Sequence, residues 1–200
     1  MTHGIDIEVL SGRDAGLAAA VPALARLRIT VFREFPYLYD GDFDYETNYL
    51  RTYTACADSV VVLARDGEAV VGASTGLPLV AETDEFKAPF VAAGLDVTRT
   101  FYCGESILLP AYRGRGIYKA FFAGRENHAR ALGRFERIVL CAVERAADHP
   151  RRPPDYVPLD AVWQRFGYHR RADLVTTFEW KDLDETSASP KRMVFWEKAL

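Results

Sequence analysis

The sequence predicts an α/β fold: a single domain over residues 1–200, with one mixed central β-sheet and helices on both faces. Three observations carry this. Short apolar runs of strand length alternate with longer stretches at helical spacing. The run Arg-Ile-Val-Leu-Cys-Ala-Val at 137–143 is almost wholly apolar, as a central strand buried on both faces requires. A chain of 200 residues, 49% hydrophobic and free of internal repeats, can bury one substantial core but not two.

Taken in order, residues 5–9 alternate apolar and acidic side chains and suit an edge strand. Residues 17–35 carry Ala, Leu and Arg at helical spacing, with Pro22 expected to bend or restart the helix. A second helix is expected over 45–56, where Tyr45, Tyr49 and Tyr53 share a face. Residues 59–64 and 69–74 read as a hairpin turning at Asp66-Gly67. A short helix over 82–94 carries Phe86, Phe90 and Val91. A strand over 101–109 and a long helix over 114–132 lead into the 137–143 strand. A proline-rich loop at 147–158 precedes a short helix at 160–166, and strands at 174–180 and 192–197 close the chain.

Composition excludes several classes. The net charge of −3 provides no global attraction to nucleic acid or to an anionic membrane, so neither is expected as a partner. No apolar stretch approaches the ~20 residues of a membrane span, and the first residues lack a signal-peptide pattern. Cys56, Cys103 and Cys141 are odd in number and widely spaced. That argues against a disulfide framework or a metal site and for a reducing, cytoplasmic setting.

The most informative segment is Gly104-Glu105-Ser106-Ile107-Leu108-Leu109-Pro110-Ala111-Tyr112-Arg113-Gly114-Arg115-Gly116-Ile117-Tyr118. An apolar strand ends at a proline, a basic glycine-rich turn follows, and a helix starts at once. Glycines let backbone N–H groups converge on a ligand, and the first N–H groups of a helix lack internal partners at its positive pole. Together they form a phosphate site. A nucleoside-triphosphate loop would need Lys-Ser/Thr after Gly116, and a dinucleotide fingerprint a third glycine where Lys119 stands. The turn instead resembles the GNAT acyl-CoA signature, Q/R-x-x-G-x-G/A, through Arg113 and Gly116, with Pro110 where that family often has proline. Residues 161–168, Ala-Val-Trp-Gln-Arg-Phe-Gly-Tyr, resemble the family's late helix and its Gly-Phe end.

The resemblance implies a splayed strand pair that binds acyl-CoA, with acetyl-CoA as co-substrate, no metal, and transfer to a primary amine. By position, the backbone of Ile107, Leu108 and Leu109 would meet pantetheine, and an N–H at Ile107 or a neighbour would face the developing oxyanion. Arg113, Gly114, Arg115, Gly116, Ile117 and Tyr118 would hold the pyrophosphate. Tyr118 departs from the family's small residue, so its ring must swing outward to leave room.

An amine of pKa near 10.4 is neutral in only about one molecule in 2,500 at pH 7, so a base is needed. Glu105 is the candidate base; strand alternation places it with Cys103 and Ile107 on one face, unless a bulge intervenes. The family's usual acid position holds Trp163, whose indole is not a practical acid. Tyr156, Tyr168 and Cys141 are the substitutes, with Tyr156 the candidate acid. For the acceptor, the segment 35–46 interleaves aromatics and carboxylates, which favour a cationic amine, making Tyr39, Asp40 and Asp42 candidates beside helix-capping roles. His149, in the proline-stiffened loop, is a second candidate. A small-molecule amine is preferred over a protein lysine, and homodimers are common in the family. A non-catalytic acyl-CoA sensor stays open as the alternative function.

Overall fold

The computed structural model describes residues 4–200. Its elements are β1 (Asp6–Ser11), α1 (Ala15–Phe32), α2 (Phe43–Ala55), β2 (Val60–Asp66), β3 (Ala69–Pro78), α3 (Asp84–Ala92), β4 (Thr100–Cys103), β5 (Ser106–Leu108), α4 (Ile117–Ala131), β6 (Arg137–Val143), α5 (Asp160–Arg165), β7 (His169–Trp180) and β8 (Ser189–Ala199). The sheet runs β1-β2-β3-β4-β6-β8-β7, with β5 pairing β3 beyond the end of β4. β4 and β6 are parallel and joined through α4, the crossover that parallel neighbours require.

Each face of the sheet has its own core. Leu24 and Leu27 of α1, Leu50 and Tyr53 of α2 and Phe90 of α3 pack with Tyr102, Ile107 and Phe195. On the other face, Phe121 and Phe122 of α4 pack with Phe101, Cys103, Leu108, Ile138 and Trp196. The expected fold class stands.

Several local expectations are corrected. Pro22 lies inside α1 without breaking it. Pro22 and Ala18 are both exposed, so water can satisfy the carbonyl the proline leaves unbonded. The α1 helix is also 18 residues long and apolar enough to pass for a membrane span. Its Leu17, Leu24, Ala25 and Leu27 are nonetheless spent in the core. α4 begins at Ile117 and not at 114, because Gly114 and Gly116 sit at φ 75° and 80°, outside helical space. β7 reaches back to His169 through a bulge between Arg171 and Val175, and its charged side chains suit a sheet edge.

The last correction positions the site. The strand expected over 101–109 is two strands. Between the Tyr102–Leu77 and Ser106–Ser74 pairs, two residues on β3 face three on the other side. This is a β-bulge at 103–105, and one extra residue inverts the side-chain parity beyond it. Cys103 therefore lies in the α4-side core and Ile107 in the α1-side core, not on one face. A side chain on Gly104 would collide with the Tyr53 hydroxyl, so only glycine allows this close crossing.

Candidate active site

The bulge opens the sheet. β4 and β6 pair only as far as Cys103–Leu140. Beyond that point β5 follows β3, while β6 continues along β8 to Val143. The two neighbours diverge into a wedge. Leu109 N–H donates to Val71 O at 3.0 Å and Thr75 N–H to Glu105 O at 3.1 Å. Alternation in an antiparallel ladder then commits the backbone of 105, 107 and 109 to β3. The N–H groups turned into the wedge are those of Ser106 and Leu108. The expectation for Ile107 and Leu109 is corrected accordingly: their N–H groups are spent in the sheet. The Leu108 carbonyl accepts from Arg113 Nε at 3.2 Å.

At the wedge's mouth lies the glycine-rich turn. Arg113 N–H donates to Pro110 O at 3.1 Å, so it is not a free donor. The N–H groups from Gly114 to Tyr118 have no protein acceptor among the described residues. They stand at the positive end of a 15-residue helix, an arrangement that can hold a pyrophosphate. The Arg113 side chain forms an ion pair with Glu34 at 2.9 Å, linking the turn to the end of α1. Arg115 stacks over Tyr112 and stays exposed. The Tyr118 ring folds inward, not outward, packing on Phe121 and Phe122 on the cavity wall. Burial pushes its phenol up, and the Arg125 charge opposes that.

A cavity of about 1180 Å³ joins the turn, the wedge and the exit of α1. Glu105 sits on its wall, 6% exposed. Arg28 holds it by an ion pair at 2.5 Å and also pairs with Glu46, while Glu105 Oε1 keeps no partner. Desolvation pushes the Glu105 carboxyl up, and the Arg28 charge opposes it. Tyr156 reaches the cavity from the 151–160 loop, its ring edge-on to Phe35 at 4.7 Å and beneath Arg152. Burial raises its phenol too. Cys141 is on the wall, whereas Tyr168 points away and donates to Glu126 at 3.3 Å.

The acidic loop lies differently from the expectation. Asp42 caps α2 by accepting from Tyr45 N–H at 2.9 Å. Asp40 pairs with Lys181 at 2.7 Å and Arg33 at 3.3 Å, and Tyr39 forms a bridge to Asp182. His149 packs tilted against Phe35, ring centroids 5.6 Å apart. None of these four lines the cavity; Phe35, Pro36 and Tyr37 do. Arg145 fastens that aromatic corner, donating to Pro36 O at 2.7 Å and Tyr37 O at 2.8 Å.

Two site residues escaped sequence reasoning, Arg28 and Arg125. Arg125 is 2% exposed, lines the cavity and donates to Glu105 O at 3.0 Å. The signal was present in both helices. Arg28 falls four residues after Leu24 and Arg125 four after Phe121, so each interrupts an apolar stripe.

No family model and no curated protein matches the sequence. Solved structures do match the fold. The Arabidopsis thaliana NAA60 structure, in complex with acetyl-CoA, aligns at TM-score 0.63 and 13% identity, covering 98% of this chain and 99% of that one. The ribosomal-protein-alanine N-acetyltransferase of Brucella melitensis aligns at 0.61 and 14%, again covering 98% and 99%. An acetyltransferase of the GNAT family from Streptococcus pneumoniae aligns at 0.58 and 13%, covering 98% and 100%. The chain has the fold of the GNAT acetyltransferases over nearly its whole length.

Proposed function

We propose that the chain transfers an acetyl group from acetyl-CoA to a primary amine, that of a small molecule rather than a protein lysine. The observation that carries the proposal is the wedge. A bulge frees the outer edge of β5, and five unpartnered N–H groups, Gly114 to Tyr118, stand at its mouth. One is a strand edge for the amides of pantetheine, the other a cradle for its pyrophosphate. Loops walling the cavity near Phe35 and Tyr156 favour a small acceptor over a protein surface.

In this reading Ser106 and Leu108 turn their N–H groups toward the thioester oxygen as negative charge develops there. The amine attacks the carbonyl carbon; the C–N bond forms, and the C–S bond breaks as the tetrahedral intermediate collapses. Glu105 takes the proton the amine loses, and Tyr156 returns one to the thiolate. A binding module without turnover is the second reading, favoured by the neutralisation of Glu105 by Arg28.

Calorimetric titration with acetyl-CoA tests the binding half. Wild type should bind, and Gly116→Glu, verified as folded, should not, because a carboxylate then stands in the cradle. No heat with the wild type removes the acyl-CoA reading. Binding without turnover across an amine panel would favour the module.

A further inference from the structure

Arg125 presents an electrostatic problem the proposed chemistry does not solve. It lies in α4, 2% exposed, with one hydrogen bond, Nη1 to the carbonyl of Glu105. Its Nε and Nη2 are buried without any acceptor. The face of Phe122 lies 4.9 Å from the guanidinium carbon. Among the described residues no carboxylate forms an ion pair with it. The neighbouring Glu126 turns instead to Lys198 at 2.7 Å and Arg130 at 3.2 Å. A guanidinium cannot shed its proton to escape burial, and an uncompensated buried ion costs several kcal/mol. A ligand bound beside it would supply the missing acceptors.

Its position says which ligand. Arg125 is on the cavity wall, with Nε and Nη2 themselves buried, so a ligand filling the cavity meets them once the side chains over them shift. It lies on the α4 side of the sheet, the side of the glycine-rich turn, whereas α1, α2 and the Phe35 corner bound the acceptor side. Nine residues of helix beyond Gly116 place it about 13–14 Å along α4 from the pyrophosphate cradle. There it is bonded to the carbonyl at the bulge itself, the apex of the wedge. That is the acyl end of a donor running inward from the cradle. Two free N–H groups on one edge of a guanidinium match the two oxygens of a carboxylate.

We propose that Arg125 reads a terminal carboxylate on the acyl group, so that the preferred donor is a dicarboxylic acyl thioester such as succinyl- or malonyl-CoA. The inference rests on the acyl-CoA reading above and revises only the identity of the acyl group.

The test titrates CoA, acetyl-CoA and succinyl-CoA into the wild-type protein. A charge-assisted contact predicts that succinyl-CoA binds roughly tenfold to a hundredfold tighter than acetyl-CoA. In Arg125→Met that difference should vanish. The variant's melting temperature should equal or exceed that of wild type, since an unpaired buried charge has been replaced by an apolar chain. Equal affinity for the two esters overturns the proposal and leaves the acyl-CoA reading intact. Failure of all three CoA species to bind overturns both. Discrimination arising only between carboxylated and plain amine acceptors, with acetyl-CoA as donor, moves the carboxylate to the acceptor and refutes the donor assignment. A markedly lower melting temperature for Arg125→Met would mean that the guanidinium is satisfied within the fold, and this too refutes it.

Discussion

Arg28 and Arg125 are both buried, both interrupt the apolar stripe of a helix, and both reach Glu105 from opposite faces of the sheet. Arg28 bonds its carboxylate and Arg125 its backbone carbonyl. Their surroundings differ in one respect. Arg28 is neutralised within the protein by Glu46 and Glu105, while Arg125 has no carboxylate partner among the described residues. On the α1 side the charge is a structural element that fixes the Glu105 carboxyl. On the α4 side it is left open. The contrast separates a completed network from an incomplete one, and only the incomplete one calls for a ligand.

The contrast is broken most forcefully at Arg28. Arg28→Met strands Glu46 and Glu105, both almost wholly buried, with no cation between them. Removing one partner of a buried ionic cluster costs about 3–5 kcal/mol. Denaturant unfolding should register that loss, whereas Arg125→Met should show none. Similar losses for both variants would mean that the two arginines do the same structural work.

Glu105→Gln sharpens the same comparison at the carboxyl the two arginines share. Its carboxyl titrates above the usual range because it is desolvated. As the base it must be ionised, so turnover should rise with pH through that raised value. The Gln variant should lose this limb and about 10²–10⁴-fold in turnover, with acyl-CoA affinity kept. A variant that keeps its pH limb would take Glu105 out of the mechanism.

Glu82 extends the α1-side network to a carboxyl that forms no ion pair among the described residues. It is 4% exposed, and its pKa is raised to about 7, chiefly by desolvation, with Glu105 adding repulsion and the Thr83 N–H and the Arg28 and Lys87 charges opposing. A carboxyl raised in the folded state contributes stability that is complete below its ordinary 4.5 and is lost as pH rises through about 7. The difference corresponds to on the order of 3 kcal/mol. Wild-type melting temperature should therefore fall between pH 5 and 8, and Glu82→Gln should flatten that slope. Parallel slopes would show that Glu82 does not titrate there.

How much of this could be read beforehand follows from what each part is made of. The glycine-rich turn was legible because its chemistry is backbone chemistry. Gly114 and Gly116 mark positive φ, and a helix start supplies free N–H groups wherever it occurs. The bulge was allowed for but its position was not legible, since the stretch Phe101–Leu109 does not say where one residue is inserted. Gly104 was the only trace, and it makes sense only once Tyr53 is known to cross above it. The inverted parity then selects Ser106 and Leu108, the neighbours of Ile107, as the residues with free N–H groups. Arg28 and Arg125 were visible as charges on apolar stripes, but their partners lie 18, 20 and 77 residues away. Spacing within one helix cannot find them.

The smallest effect is expected where the sequence was most suggestive. Asp40, Asp42 and Tyr39 looked like a cation-binding cluster, yet in the fold each carboxylate already has its partner. Asp40 sits between Lys181 and Arg33, which hold its carboxyl below the usual range. Exposed pairs of this kind contribute little to stability and are screened by salt. Asp40→Asn should leave both the melting temperature and the acceptor KM within experimental error at moderate ionic strength. A clear rise in KM, with folding unchanged, would mean that the acceptor's charge is recognised outside the cavity. It would also place the amine's approach over the α1–α2 loop and not past Phe35 and Tyr156. The arginine comparison survives either result, because Asp40 contacts neither Arg28 nor Arg125, and so this variant isolates acceptor recognition from the buried network.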